Sequence, residues 1–181
     1  MIKRTIAEMG RMSVEEFHTA AKLPFIVVLD NVRSQHNVGA VFRTADAMLL
    51  EGVYLCGICC CPPNQEIHKT ALGAEESVDW TYFADTKEAI RVLKEKGYTC
   101  YAVEQAHDSI TLEQAAAQTN GQSKIAVILG HEVFGVQQEV VDACDACIEI
   151  PQYGTKHSMK ILAAGTTTLT LTITDGLEYE D

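Results

Sequence analysis

Short apolar, β-branched runs recur along the chain at Phe25–Asp30, Gly52–Gly57, Tyr98–Glu104, Lys124–Leu129 and Cys147–Pro151, and amphipathic or Ala-rich stretches lie between them. A continuously apolar strand needs both of its faces covered, and two parallel strands need a long crossover, usually a helix. The alternation therefore predicts an α/β domain, a mostly parallel sheet flanked by helices. The stretch from about Thr86 to Lys96 reads as a helix with Thr86 as its cap, Ala89, Ile90 and Leu93 along one side, and Gly97 as its stop. Another begins near Ser109 and runs through Leu112 and Ala115–Ala117. Ser13 and Glu16 have capping-box spacing, so a short helix is expected before Pro24, and residues 1–22 read as a helical arm on a unit spanning 23–181.

A chain of 181 residues suits one domain with one core, and 47% hydrophobic with 22% charged residues is a globular composition. Its longest apolar runs, such as Phe25–Leu29 and Ile125–Leu129, fall far short of the roughly 20 residues that span a bilayer. The segment Met1–Lys22 lacks the continuous apolar stretch of a secretory signal, so a cytoplasmic location and no membrane partner are expected. Seven cysteines, an odd number, suit a reducing compartment and free thiols. The pairs Cys56/Cys59 and Cys144/Cys147 have zinc-type spacing, but the pairs are far apart and the first sits on an apparent strand, where positions three apart face opposite sides. Buried thiols and no metal are the expectation.

A net charge of −11 excludes nucleic-acid binding through overall electrostatics, so any phosphate contact must be made by local cations. Arg33, His36, Arg43, His68, Lys69, Lys156, His157 and Lys160 are such a group, concentrated in or beside segments whose pattern suggests a site. In the first of these, a strand ends at Asp30-Asn31 and a polar loop leads into Asn37-Val-Gly-Ala-Val-Phe-Arg43, which reads as the first turns of a helix. Asn37 suits a helix cap there, Gly39 permits close approach of a neighbouring chain or ligand, and Arg43 offers a fork of donors suited to phosphate or alkoxide. In the second, the strand Ile125–Leu129 opens through Gly130-His-Glu132-Val-Phe-Gly135 into a helix, the layout of a ligand loop at a strand's carboxyl end. It lacks G-x-G-x-x-G, and Glu132 would repel a pyrophosphate, so a cationic cofactor without phosphate suits it better than a dinucleotide. The third, Ile150-Pro-Gln-Tyr-Gly154 through Ser158-Met159, leaves a strand, breaks at Pro151 and turns at Gly154.

In order and content, these segments resemble the SpoU/TrmH branch of the SPOUT RNA methyltransferases from about Pro24 to Gly165. The resemblance is carried by Asn-x-Gly-x-x-x-Arg at Asn37, Gly39 and Arg43, Gly-x-Glu-x-x-Gly at Gly130, Glu132 and Gly135, Ile-Pro-x-x-Gly at 150–154, and the run Lys69–Val78 between them. It implies an α/β fold whose C-terminal part threads a trefoil knot, a homodimer, S-adenosylmethionine as cofactor, and methylation of a ribose 2′-hydroxyl in tRNA or rRNA. The implied cofactor residues are Glu104, Leu129, Gly130, Gly135, Ile150, Pro151, Gln152, Ser158 and Met159. The implied catalytic residues are Arg43, Asn37, Glu132 and Ser158, and the RNA contacts Arg33, His36, Arg43, Lys69, Lys156 and His157. A guanidinium is a poor proton acceptor near neutrality, so Arg43 suits alkoxide stabilisation and phosphate anchoring, with the base left open.

Beyond Ser158 the sequence departs from the family. Lys160 stands where an asparagine is usual, and Thr166–Thr174 alternates Thr with Leu or Ile where a final helix is expected, with Leu169, Ile173 and Leu177 able to form one stripe. Two other functions stay open on the sequence: a non-catalytic relative that binds RNA and cofactor, and a nucleotide-binding α/β enzyme suggested only by the strand, glycine and helix layout.

Overall fold

A computed structural model of the chain describes residues 2–5, 8, 10–119, 123–153 and 155. The knot expected in the C-terminal part, the helix expected over 166–176, and Lys156, His157, Ser158, Met159 and Lys160 lie outside the described residues.

Six parallel strands form one sheet in the order β3-β2-β1-β5-β4-β6. They are β1 (Leu23–Asp30), β2 (Leu50–Cys56), β3 (Trp80–Phe83), β4 (Thr99–Val103), β5 (Ile125–Leu129) and β6 (Ala146–Ile148). All five apolar runs are strands. The sixth, β3, has no such run: it is a four-residue edge strand whose side chains are exposed or half-buried, so burial left no pattern to read.

Side chains alternate across the sheet and make a core on each face. Phe25, Val27 and Leu29 of β1 join Val127 and Leu129 of β5 on the face covered by α2 (Gln35–Ala47), α3 (Gln65–Ala71), α4 (Ala74–Ser77) and α6 (Leu112–Ala117). Ile26 and Val28 join Ala126 and Ile128 on the other face, under α5 (Thr86–Glu95) and α7 (Gln138–Ala143). The short α1 (Val14–Thr19) has the capping box read from Ser13 and Glu16, and buries Phe17 in the first core. Cys56 and Cys59 end up in the cores on opposite faces of the sheet, even though the chain turns between them at Gly57 with φ +62°. Burial pushes Cys56 up to about 12 and Cys59 up to about 11, so both stay protonated near neutrality.

The cap of α5 is Asp85, whose carboxylate accepts the Lys87 N–H, and not Thr86. Thr86 is buried, and its hydroxyl donates at 2.6 Å to Asp30 at the end of β1.

From β1 the chain winds outward through β2 and β3, then crosses to the far side for β4, β5 and β6. Winding therefore reverses between β1 and β5, and the loops leaving these two strands diverge there. A crevice outside the carboxyl ends at such a reversal is where open α/β sheets take their ligands.

Candidate functional site

Two of the segments singled out in the sequence meet in that crevice. Helix α2 is capped by Ser34, whose hydroxyl accepts the Asn37 N–H, so Asn37 is not the cap. Its side chain is thereby free to reach the loop after β5, where Asn37 Nδ2 donates to Glu132 Oε1 at 3.0 Å. The same carboxylate accepts the backbone N–H groups of Ser34 at 2.8 Å and Arg33 at 3.1 Å. Glu132 thus caps the entry to α2 rather than its own downstream helix, which begins only at Gln138. Burial on its own would raise the Glu132 carboxyl, but the Ser34 and Arg33 N–H groups and the Asn37 amide outweigh it and hold the group below the usual carboxylate range.

The loop carrying Glu132 is shaped by its glycines. A Cβ at Gly130 would collide with the backbone of Gly135 and Val136, so the two ends of the turn touch directly, and a His131–Gly135 bridge with N–H···O distances of 2.9 and 2.8 Å closes it. Gly135 has φ +67°, and a Cβ there would strike the carboxylate of Glu104.

Two further carboxylates hold the next residues, one from each strand flanking β5. Glu104, just past β4, accepts the Val136 N–H at 3.0 Å and the Gln105 N–H at 2.8 Å. Asp30, fully buried at the end of β1, accepts the Gln137 N–H at 3.0 Å, the Gln137 side-chain amide at 3.2 Å, and donors from Asn31 and Thr86. Successive N–H groups of one loop are therefore tied to β4 and β1, while its tip is tied to α2. Asp30 is the functional residue that the sequence reading missed. The available signal was an aspartate ending an otherwise apolar strand, where burial is tolerable only with several donors.

Leu129 and Gly130 are buried at the floor of the crevice. Ile150 and Gln152, half-buried, and Pro151, exposed, follow β6, which pairs with β4, so they lie at the same end of the sheet as Glu104. Arg43 lies on the third turn of α2, beyond the first turns expected, exposed and within 3.9 Å of Asp46. Lys69 is exposed on α3, the helix that packs closely on α2 at Gly39. It pairs with Glu66 at 2.5 Å, and Glu66 also lies 3.3 Å from His36, so this part of the basic group carries its own counter-charge. Gly39 serves a neighbouring element rather than a ligand: a Cβ there would overlap Thr70 and the Ile67 carbonyl of α3.

The chemistry of the donor set discriminates among ligands. The loop N–H groups at Val136 and Gln137, which a phosphate would need, are already taken by the carboxylates of Glu104 and Asp30. A dinucleotide pyrophosphate would find those amides occupied. A cation without phosphate fits, and S-adenosylmethionine has that character.

Comparison with known proteins agrees with this geometry. The model of the SpoU rRNA Methylase family matches residues 24–169. The tRNA (guanosine(18)-2′-O)-methyltransferase of Thermus thermophilus is 29% identical over 161 residues, 89% of this chain and 80% of that enzyme. The 23S rRNA (guanosine-2′-O-)-methyltransferase RlmB of Neisseria meningitidis is 29% identical over 138 residues, 76% of this chain, and the match spans only 53% of that longer protein. The crystal structure of an AdoMet-bound rRNA methyltransferase from Sinorhizobium meliloti superposes with a TM-score of 0.76 at 24% identity, covering 87% of this chain and 62% of the other.

Proposed function

The chain belongs to the SpoU rRNA methylase family, and from that premise we propose that it transfers a methyl group from S-adenosylmethionine to a ribose 2′-hydroxyl of tRNA or rRNA. The observation that supports this most is the bond from Asn37 to Glu132, which joins two of the family's motifs in the crevice between β1 and β5. The names of the relatives supply the reaction, and the carboxylate-lined, phosphate-averse crevice supplies a matching cofactor class.

Glu104, Leu129, Gly130, Gly135, Ile150, Pro151 and Gln152 would hold the cofactor, completed by Ser158 and Met159. Bound there, it supplies a methyl group on a sulfonium. Gly130 and Gly135 let the two ends of the loop and Glu104 close on one another, which fixes the loop's shape, and Leu129 keeps water from the floor. Glu132, held by three donors, fixes the α2 entry and with it the direction in which α2 presents Arg43. Arg43, exposed and only loosely paired, is free to anchor a phosphate and to stabilise the oxygen as it loses its proton. Ser158 would position groups by hydrogen bonding. Arg33, His36, Lys69, Lys156 and His157 extend the RNA surface.

The proposal includes a homodimer acting in the cytoplasm, with residues 1–22 as an arm on the methyltransferase unit 23–181. It is in keeping with this that, among the described residues, no helix is long and apolar enough to cross a membrane. Light scattering in solution tests the dimer. Methylation of RNA by Arg43→Ala and Arg43→Lys proteins that still bind cofactor tests the mechanism. Loss of transfer of about 100-fold or more in the alanine variant is expected, and undiminished rates in both would remove Arg43 from the reaction.

A further inference from the structure

The tip of the Gly130–Gly135 turn carries a feature that cofactor binding does not use. Val133 is 73% exposed and Phe134 is 82% exposed, although both are large apolar side chains in a turn fixed at both ends. The Phe134 ring lies against that of His131, with centroids 4.9 Å apart and planes tilted by 35°. His131 is itself immobilised: its Nδ1 accepts the N–H groups of Val133 at 3.0 Å and Phe134 at 3.4 Å. The two rings are thus held against each other, with Phe134 open to solvent and the half-buried His131 behind it.

Their surroundings limit what can lie on them. Glu132, between His131 and Val133, turns its carboxylate inward onto Arg33, Ser34 and Asn37, so the one acidic side chain of the turn is neutralised by donors and faces away from the tip. Arg33, whose backbone N–H makes one of these bonds, has an exposed side chain. An exposed aromatic ring on a turn without a free carboxylate at its tip matches the face of a nucleobase. Sequence-specific recognition of RNA is directed mainly at unpaired nucleotides, whose unstacked bases are taken up on aromatic side chains.

We propose that His131 and Phe134 form a stacking platform for an unpaired nucleobase of the substrate RNA, next to the methyl-transfer site, an inference that rests on the methyltransferase reading above. The base stacks chiefly on Phe134, and His131 backs that ring.

The test compares the full-length wild type with Phe134→Ala and Phe134→Trp, using unfractionated tRNA and purified 23S rRNA as probes. RNA affinity, S-adenosylmethionine affinity by calorimetry and mass in solution by light scattering are measured for each. Phe134→Ala should bind the preferred RNA about tenfold or more weakly, Phe134→Trp should stay within about threefold of wild type, and cofactor affinity and mass should not change. Undiminished RNA binding by Phe134→Ala, wild-type binding to neither RNA, or a change of oligomeric state that accompanies the loss would each overturn the platform, the last by making the tip a contact between subunits. Failure of the underlying reading is separable. A wild type that binds RNA through Phe134 but transfers no methyl group sinks the activity and keeps the platform, whereas methylation unaffected by Phe134→Ala does the reverse.

Discussion

Replacing Gly39 with alanine sets two opposing effects against each other in the helix that carries both Asn37 and Arg43. In an isolated helix the change is favourable, by up to about 1 kcal/mol, because alanine loses less backbone freedom on folding. Here the new methyl would overlap the Ile67 carbonyl and the Thr70 hydroxyl of α3. Thr70 could turn aside only by giving up its bonds to the His36 and Ile67 carbonyls, and the Ile67 carbonyl is backbone in a helix. Restoring ordinary contact needs α2 and α3 to part by roughly 1 Å, and over-packing of this kind costs about 1–3 kcal/mol, towards the upper end when backbone must move. The packing cost wins, leaving a net loss of about 1–2 kcal/mol. For a chain of this size that is a fall in Tm of roughly 2–8 °C. Thermal unfolding followed by circular dichroism reads it directly, with methyl transfer expected to fall as well because the displaced α2 carries Arg43. An unchanged or raised Tm would refute the reasoning, since propensity alone would then govern the position.

Other perturbations probe the loop ties and the thiols. Asp30→Ala leaves the buried Thr86 hydroxyl and the Gln137 N–H without their acceptor, so a stability loss of about 2–4 kcal/mol is expected, seen as a lower urea midpoint with unchanged slope; a midpoint within error of wild type would show that the donors find other partners. The Glu132 carboxyl is held low in the folded protein, so its stabilising effect is complete above the unfolded-state value of about 4.3 and is lost as pH falls through the lower folded-state value. The stability difference between wild type and Glu132→Gln should therefore be constant near neutrality and shrink in acid, and a difference independent of pH would contradict the assigned bonds. Burial pushes Cys56 and Cys144 up to about 12 and Cys59 and Cys100 up to about 11. Cys56, Cys59 and Cys100, which are buried, should react slowly with iodoacetamide at pH 8 in the folded protein and quickly in urea, and stability should decline as pH rises past the ordinary thiol range near 8.5; labelling of these three at free-thiol rates without urea would refute their burial.

The architecture was legible where burial imposes a period. The strands β1, β2, β4, β5 and β6 are apolar because helices cover both of their faces, and each was found to within a few residues. The edge strand β3 was not, since its exposed face puts no demand on sequence. Site residues were legible when they sat in patterned motifs, so Asn37 and Glu132 were both expected, although their contact spans two loops remote in sequence and no local rule predicts it. Local rules also misassigned caps. Thr86 and Asn37 are good capping residues in isolation, but Asp85 and Ser34 serve instead, because the first two are engaged across the fold by Asp30 and Glu132. Asp30 was hidden for the same reason: its value lies in donors from α5 and from the loop after Gly135, and sequence neighbours reveal neither.

The central claim is that the crevice between β1 and β5 transfers methyl groups to ribose oxygens. Its most direct measurement is mass spectrometry of nucleosides from tRNA and rRNA incubated with the purified protein and isotopically labelled S-adenosylmethionine. The expected product is a nucleoside carrying the label as a ribose 2′-O-methyl group, formed by wild type and lost in Arg43→Ala. Label on a base alone, or no label in any RNA at stoichiometric enzyme, would contradict it.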